Sequence, residues 1–439
     1  MTSPTHTKYS ILIAALILGL LSAFIIFYRF ASIPKTLTFD EIEFAKLALS
    51  LGTHSYIPYS PLATGHSTFY FYILLVSLKL FGITSFGLRF PAALFGVASV
   101  IVFFFVMRKV IQKMDFSHSP FLQTLIPLAG SFLFASTRWY FNFARFGFEA
   151  TFVIFLELVS LLFLLSYLDH RQKKWLIPAG LFAGLAYNSY QPGRFFFIVP
   201  VMILFLFILE RKQHRLDFSF FSKHTLTTFL AFLIPFLICI TPLSYYLSQN
   251  TDVRLNQLMY PTNSQLSINE KLQYFGRNIV STTLMFSVKG DVNGRHNYPN
   301  KAALNPIMSA LFIIGLLYAF WHIQNKMNQL FILYFFVAVF PTLLTNPWEN
   351  PNMLRTITCI PAIVYFCTYA LAQEYIFFEK KLRLHYSVLV ICIFACISIS
   401  SLYDLRTYFV FQTKVFRQAF EASMPLSYYI INTDAKIKK

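Results

Sequence analysis

The residues best equipped for chemistry stand near the start of the chain. Phe39-Asp40-Glu41-Ile42-Glu43-Phe44 places three carboxylates within four positions, in a chain with only 18 Asp and Glu among its 439 residues. They follow the first long apolar run, where a membrane helix emerges into water. Carboxylates at that depth are costly unless paired, hydrated or used, so they read as a functional site. Asp40 is the candidate general base, because a carboxylate can take the proton of a hydroxyl as that hydroxyl attacks. Glu41 is its candidate partner, orienting either Asp40 or the acceptor. Helix capping is the local alternative. Thr38 or Asp40 can close a helix N-terminus, and Glu41 or Glu43 three residues on would complete a capping box.

Further along, carboxylates (Glu149, Asp291, Glu349) and cations (Arg89, Arg145, Arg194, Lys289, Arg295, Arg355) sit in polar loops. Arginine can grip a phosphate bidentately and stabilise it as it leaves. Carboxylates and arginines together suit transfer of a group from a membrane-held phosphate donor to a hydroxyl. Arginines at helix ends also snorkel to the interface. Arg355 opens an apolar run behind Pro347 and Pro351, which places it at headgroup height, and phosphate binding is the expectation there. Arg194 is expected to assist it, with Arg145 and Glu149 lining the pocket.

The stretch Ser287–Asn297 is polar and rich in turns, and adds Asp291, Arg295, His296 and Asn297 as candidate substrate contacts. It lacks the spacing and terminal Glu of a calcium loop, and His296 reads as a hydrogen-bonding loop residue. There is no His/Cys cluster with zinc spacing and no Walker loop. No metal-ligand set is therefore expected, and any need for a divalent cation stays open.

The elements that must position these residues are helices in a membrane. The chain is 56% apolar and only 12% charged, with a mean hydropathy of +0.58; a soluble domain carries about 25% charged residues. The formal charge of +18 is scattered singly through loops, without a basic stripe or binding motif. That argues against nucleic acid and for anionic lipids or an anionic substrate at a membrane surface. All five cysteines lie in apolar runs and read as small packing residues, so no disulfide is expected.

The fold class is an all-α polytopic membrane protein with about eleven transmembrane helices. They are expected near 10–28, 88–107, 121–138, 150–168, 175–190, 195–209, 226–247, 303–321, 329–345, 355–372 and 386–403. Lys and Arg in the short turns 108–113, 171–174, 211–215 and 380–383 place the N-terminus in the cytoplasm and the C-terminus outside. Two short helices, 40–51 and 68–81, are expected to lie in the interface within a first outer loop, 32–87. A long outer loop, 250–301, completes a single unit spanning 1–405, and an outer tail, 406–439, follows it. Polar, Pro-rich loops then converge on one face of an apolar scaffold, as active-site loops do.

The ordered set of pieces resembles the GT-C superfamily of membrane glycosyltransferases, in its protein O-mannosyltransferase and aminoarabinose-transferase-like branch. The pieces are Asp40-Glu41, Phe81-Gly82, Leu88-Arg89-Phe90-Pro91-Ala92-Ala93-Leu94-Phe95-Gly96, Ala144-Arg145-Phe146-Gly147-Phe148-Glu149, Tyr190-Gln191-Pro192-Gly193-Arg194, Gly290-Asp291 and Arg295-His296-Asn297. The resemblance extends to about residue 375. It departs at Gly65-His66-Ser67-Thr68, where members often carry a Gly-x-Pro-Pro-Leu-like entry. It implies an inverting enzyme in the plasma membrane that moves a hexosyl or pentosyl group from a polyprenyl-phosphate donor to a hydroxyl of a glycan, lipid or protein. Asp40 would be its base, on the outer face. The alternative is a transporter or flippase of a lipid-linked or anionic substrate, without chemistry; no pair of broken helices in matching halves marks one.

Overall fold

The computed structural model describes residues 4–53, 55–114, 120–213, 223–383 and 385–437, so the inner turn expected at 211–215 lies partly outside them. The chain opens with α1 (Pro4–Phe27) and α2 (Phe39–Ser50), then a two-stranded hairpin of β1 (Tyr59–Ser60) and β2 (His66–Ser67). Next come α3 (Phe69–Phe81), α4 (Ser85–Ile111), α5 (Pro120–Ser136), α6 (Arg138–Phe143), α7 (Ala150–His170), α8 (Leu176–Tyr187), α9 (Ile198–Gln213) and α10 (Lys223–Gln249). The remainder is α11 (Val253–Leu258), α12 (Ile268–Ser287), α13 (Pro306–Trp321), α14 (Lys326–Leu343), α15 (Ile360–Lys381), α16 (Tyr386–Arg406), α17 (Thr413–Ala419) and α18 (Leu426–Ile437).

A helix stands at each of the eleven expected places. Among the described residues, 8 are long and apolar enough to cross a membrane, in α1, α4, α7, α9, α10, α14, α15 and α16. The others, α5, α8 and α13, have 17, 12 and 16 residues, against about 20 for a full crossing. The reason for helix throughout is that a bilayer supplies no hydrogen-bond partners, so each segment must satisfy its own backbone. Pro91, Pro127 and Pro341 stand inside α4, α5 and α14, and the Gly87 carbonyl that Pro91 frees accepts from the Ser77 hydroxyl at 2.6 Å. The packing runs α5–α4–α7–α8–α10 on one side and α13–α15 on the other, with α15 also against α5. Lys109 and Lys113 of α4 and the loop after it both pair with Asp169 of α7, at 2.7 and 2.5 Å. That pins the ends of the two helices on the side away from Asp40.

The short helices form as expected. In α2, Ile42, Phe44, Ala45, Leu47 and Ala48 are buried, and α3 packs against them. The hairpin between them was not legible in the sequence. It turns through Gly65 at φ +97, where a Cβ would collide with the Tyr59 hydroxyl, so only glycine fits. The residues beyond 405, expected as a separate tail, are built onto the first loop. Helix α16 continues through a wide turn at Thr407–Gln412 into α17. The chain then returns so that Ala422 pairs antiparallel with Leu37, and α18 packs on α2.

Candidate active site

The N-terminus of α2 separates the two lead carboxylates. Thr38 is the N-cap: its Oγ1 accepts from the Glu41 amide at 3.0 Å, and the Glu41 carboxylate accepts from the Thr38 amide at 3.0 Å. The capping box is thus Thr38–Glu41, and Asp40 takes no part in it. Glu41 is fully buried. It also accepts from Arg89 Nε and Nη2 at 2.7 and 2.9 Å and from the Gly147 amide at 2.9 Å. Arg89 spends its remaining donors on the carbonyls of Pro34 and Thr36, at 2.7 and 2.8 Å. Glu41 therefore joins α2, α4 and the loop before α7, and is closed to an acceptor. It fixes the first turn of α2, on which Asp40 stands.

Asp40 points the other way. Its side chain is half exposed, and its Oδ2 accepts from Arg295 Nη1 at 2.6 Å. Arg295 comes from the polar stretch after α12, which folds on Asp291. That carboxylate accepts from the Asn293 amide and His296 Nδ1 at 2.8 Å, and from the Met353 amide at 2.9 Å. Burial raises the Asp291 carboxyl, but His296 and the two amides outweigh it and hold it below its ordinary value. Asn297 is fully buried, donating to the carbonyls of Asp291 and Lys301 and accepting from Arg138. Gly290 has no room for a Cβ against the Lys301 carbonyl. So His296 and Asn297 both hold bonds that build the loop. Arg295 reaches Asp40, and Asp291 reaches the segment carrying Arg355.

Arg355 and Arg194 face one cleft of about 40 Å³, together with Tyr190, Gln191, Leu258 and Thr345. Arg355 Nη2 bonds Glu349 at 2.8 Å, and its Nη1 is buried without a partner. Arg194 pairs with Asp252 at 2.9 Å and reaches Ser67 at 3.3 Å, and its Nε is likewise buried without a partner. Buried donors are almost always satisfied. Two guanidinium groups that line one cleft thus each keep a buried donor without a partner.

A second, smaller pocket adjoins it and shares Tyr190, Gln191 and Arg194. Its other walls are Gly65, His66, Ser67, Glu149, Ser189 and Arg254. His66 Nδ1 lies 3.3 Å from Glu149 Oε1, while its Nε2 receives Arg254 Nη1. Arginine only donates, so His66 is the neutral tautomer carrying its proton on Nδ1. Burial, with Arg254 beside it, holds the imidazole below its ordinary 6.5. Burial pushes the Glu149 carboxyl up, but His66 and Arg254 outweigh it, and it stays ionised below its ordinary 4.5. Phe44, one turn on from Asp40 along the same face of α2, packs edge-on against His66 at 4.9 Å. Asp40 itself lines neither pocket.

Arg145 does not line this pocket. It is fully buried and donates to the carbonyls of Ile25, Ile26, Tyr28 and Ile33 and to the Tyr408 hydroxyl, tying off the end of α1. Sequence reasoning missed His66, Asp252 and Arg254. The departure at Gly65–Thr68 marks the first; nothing in the pattern of residues 250–301 singled out the others. Among the described residues no three His, Cys, Asp or Glu side chains converge as a metal site.

Residues 65–239 match the family model described as dolichyl-phosphate-mannose-protein mannosyltransferase. The crystal structure of ArnT from Cupriavidus metallidurans in the apo state is similar over 98% of this chain and 78% of that one, at 12% identity and a TM-score of 0.50. The fold is GT-C-like. Bound to undecaprenyl phosphate, the same ArnT is similar over 99% of this chain and 79% of that one, at 11% identity and a TM-score of 0.48. No curated protein sequence matches the chain. The GT-C resemblance read from the sequence therefore stands on a family match and on the fold. The matched residues take in Leu88–Gly96, Ala144–Glu149 and Tyr190–Arg194, while Asp40 and Arg355 lie outside them.

Proposed function

We propose that this GT-C-like chain is an inverting glycosyltransferase that moves a sugar from a polyprenyl-phosphate donor to an acceptor hydroxyl. The observation that carries this reading is the pair of arginines that line one cleft and each keep a buried donor without a partner. The family match adds to it, since the matched family is described by a lipid-phosphate sugar, dolichyl-phosphate-mannose.

In the proposed reaction the acceptor hydroxyl attacks the anomeric carbon while Asp40 takes its proton. The bond from that carbon to the phosphate oxygen breaks, and its electron pair leaves with the polyprenyl phosphate. Arg355 and Arg194 hold that phosphate as its charge grows, which is where fixed donors contribute most. A single displacement inverts the anomeric centre. Arg295 holds the Asp40 carboxylate in place until the acceptor arrives. No step is assigned to a metal ion. Segments 32–87 and 250–301 wall the site, and the basic turns at 108–113, 171–174 and 380–383 support a site on the outer face of the plasma membrane with the N-terminus in the cytoplasm.

The test is to incubate the purified protein with a panel of radiolabelled polyprenyl-phosphate sugars and a hydroxyl-bearing acceptor extract. Labelled acceptor and free polyprenyl phosphate should appear together and depend on Asp40. Binding of every donor without transfer from any would refute the enzyme and leave a carrier.

A further inference from the structure

We infer that the small pocket of Glu149, His66, Arg254 and Ser67 takes one neutral hydroxyl of the donor's sugar and so selects which sugar is transferred. The inference rests on the reading that the adjoining cleft holds the donor phosphate. Its starting point is an unsatisfied atom. Glu149 is 2% exposed, and its Oε2 has no hydrogen-bond partner. A buried carboxylate oxygen left in that state is costly, so the site is built for a donor that arrives from elsewhere.

Size limits what that donor is. The pocket measures about 10 Å³, which is room for one water-sized group and not for a sugar ring. Position links it to the phosphate. Tyr190, Gln191 and Arg194 line both pockets, so a ring attached at the arginine cleft can reach over Arg194 with one of its own substituents.

Charge then chooses among substituents. Glu149 is ionised and His66 neutral, Arg254 is cationic, and Arg194 is already offset by Asp252. The local sum is close to zero. An ammonium group would fill the carboxylate's vacancy in hydrogen bonding but would meet Arg254. A carboxylate group would suit Arg254 but meet Glu149. A hydroxyl donates to Glu149 Oε2, offers its oxygen to the arginine side, and meets neither repulsion. A deoxy sugar leaves Oε2 buried and unpaired, the arrangement by which polar pockets discriminate most strongly.

The test uses undecaprenyl-phosphate mannose, glucose, galactose and arabinose, with the monodeoxy and amino analogues of whichever binds tightest. Binding and transfer are measured for wild type, Glu149→Gln and Glu149→Asp, with bare undecaprenyl phosphate as competitor and thermal melting alongside. In wild type, removing or aminating one particular ring hydroxyl should weaken binding by roughly 10- to 100-fold, the cost of one unsatisfied buried acceptor. Glu149→Gln should lose most of that discrimination. Glu149→Asp, which keeps the charge but draws it back, should lose part of it. In all three proteins bare undecaprenyl phosphate should still bind. Equal binding of all deoxy analogues in wild type would overturn the proposal. So would discrimination that survives in both variants. If bare undecaprenyl phosphate fails to bind wild type, the phosphate cleft itself is wrong, and the proposal goes with it.

Discussion

Neutralising the two adjacent carboxylates of α2 should produce opposite kinds of damage. In Glu41→Gln, Arg89 keeps its charge at 1% exposure while losing both of its charged hydrogen bonds, to Oε1 at 2.7 Å and Oε2 at 2.9 Å. Removing one partner of a buried ion pair costs about 3–5 kcal/mol. That is a large share of the roughly 5–15 kcal/mol that holds a typical domain together. In Asp40→Asn the lost pair is with Arg295, at side-chain exposures of 53% and 24%. Such exposed pairs are worth about 0–1 kcal/mol. A first-turn carboxylate contributes about 0.3–1 kcal/mol more through the helix dipole. Asp40→Asn should therefore express and melt nearly as wild type, and it cannot disturb a cap that Thr38 and Glu41 make. Its transfer rate, however, should collapse by about 10²–10⁴-fold, the usual worth of a general base. The assay is sugar transfer and thermal melting of both variants in one detergent. Transfer by Asp40→Asn at close to the wild-type rate would place the base elsewhere, with Glu149 next to test. A Glu41→Gln protein as stable as Asp40→Asn would refute the account of the buried pair.

Three further outcomes are expected. Arg355→Lys should weaken binding of polyprenyl phosphate while keeping the charge, because lysine cannot offer two parallel donors, and Arg355→Ala should weaken it more; unchanged affinity in both reduces Arg355 to a snorkelling anchor. The His66 imidazole is held below its ordinary 6.5 by burial and Arg254, so below pH 6.5 the unfolded chain takes up a proton that the fold refuses. The contribution of His66 to stability should be flat above that pH and fall from 6.5 towards 5, before Glu149 enters its own range below 4.5. Urea melts should show the stability of wild type relative to His66→Asn falling across that window as pH drops, and a constant difference would refute the assignment. On intact cells, an impermeant thiol reagent should label Gln265→Cys and spare Gln172→Cys, both exposed positions; the reverse pattern would move the site to the cytoplasmic face.

By itself the sequence determined the helices, the membrane class and the loops where polar groups gather. Those follow from local properties: a run of apolar residues in a bilayer must be helical wherever the rest of the chain goes. It also set out Thr38 or Asp40 as cap and Glu41 or Glu43 as its partner, because a capping box needs residues only three apart. Which member of each pair would act could not be read there. A carboxylate's role depends on who neutralises it, and the neutralising groups are far along the chain. Arg89 and Gly147 lie 48 and 106 residues from Glu41, and Arg295 lies 255 residues from Asp40. Arg145 looked like a pocket arginine until the fold wrapped the carbonyls at the end of α1 around it. His66 and Arg254, 188 residues apart, are an unremarkable histidine and one basic residue among many until they meet over Glu149. Burial and charge pairing are properties of the packed chain, and only the tertiary structure could assign them.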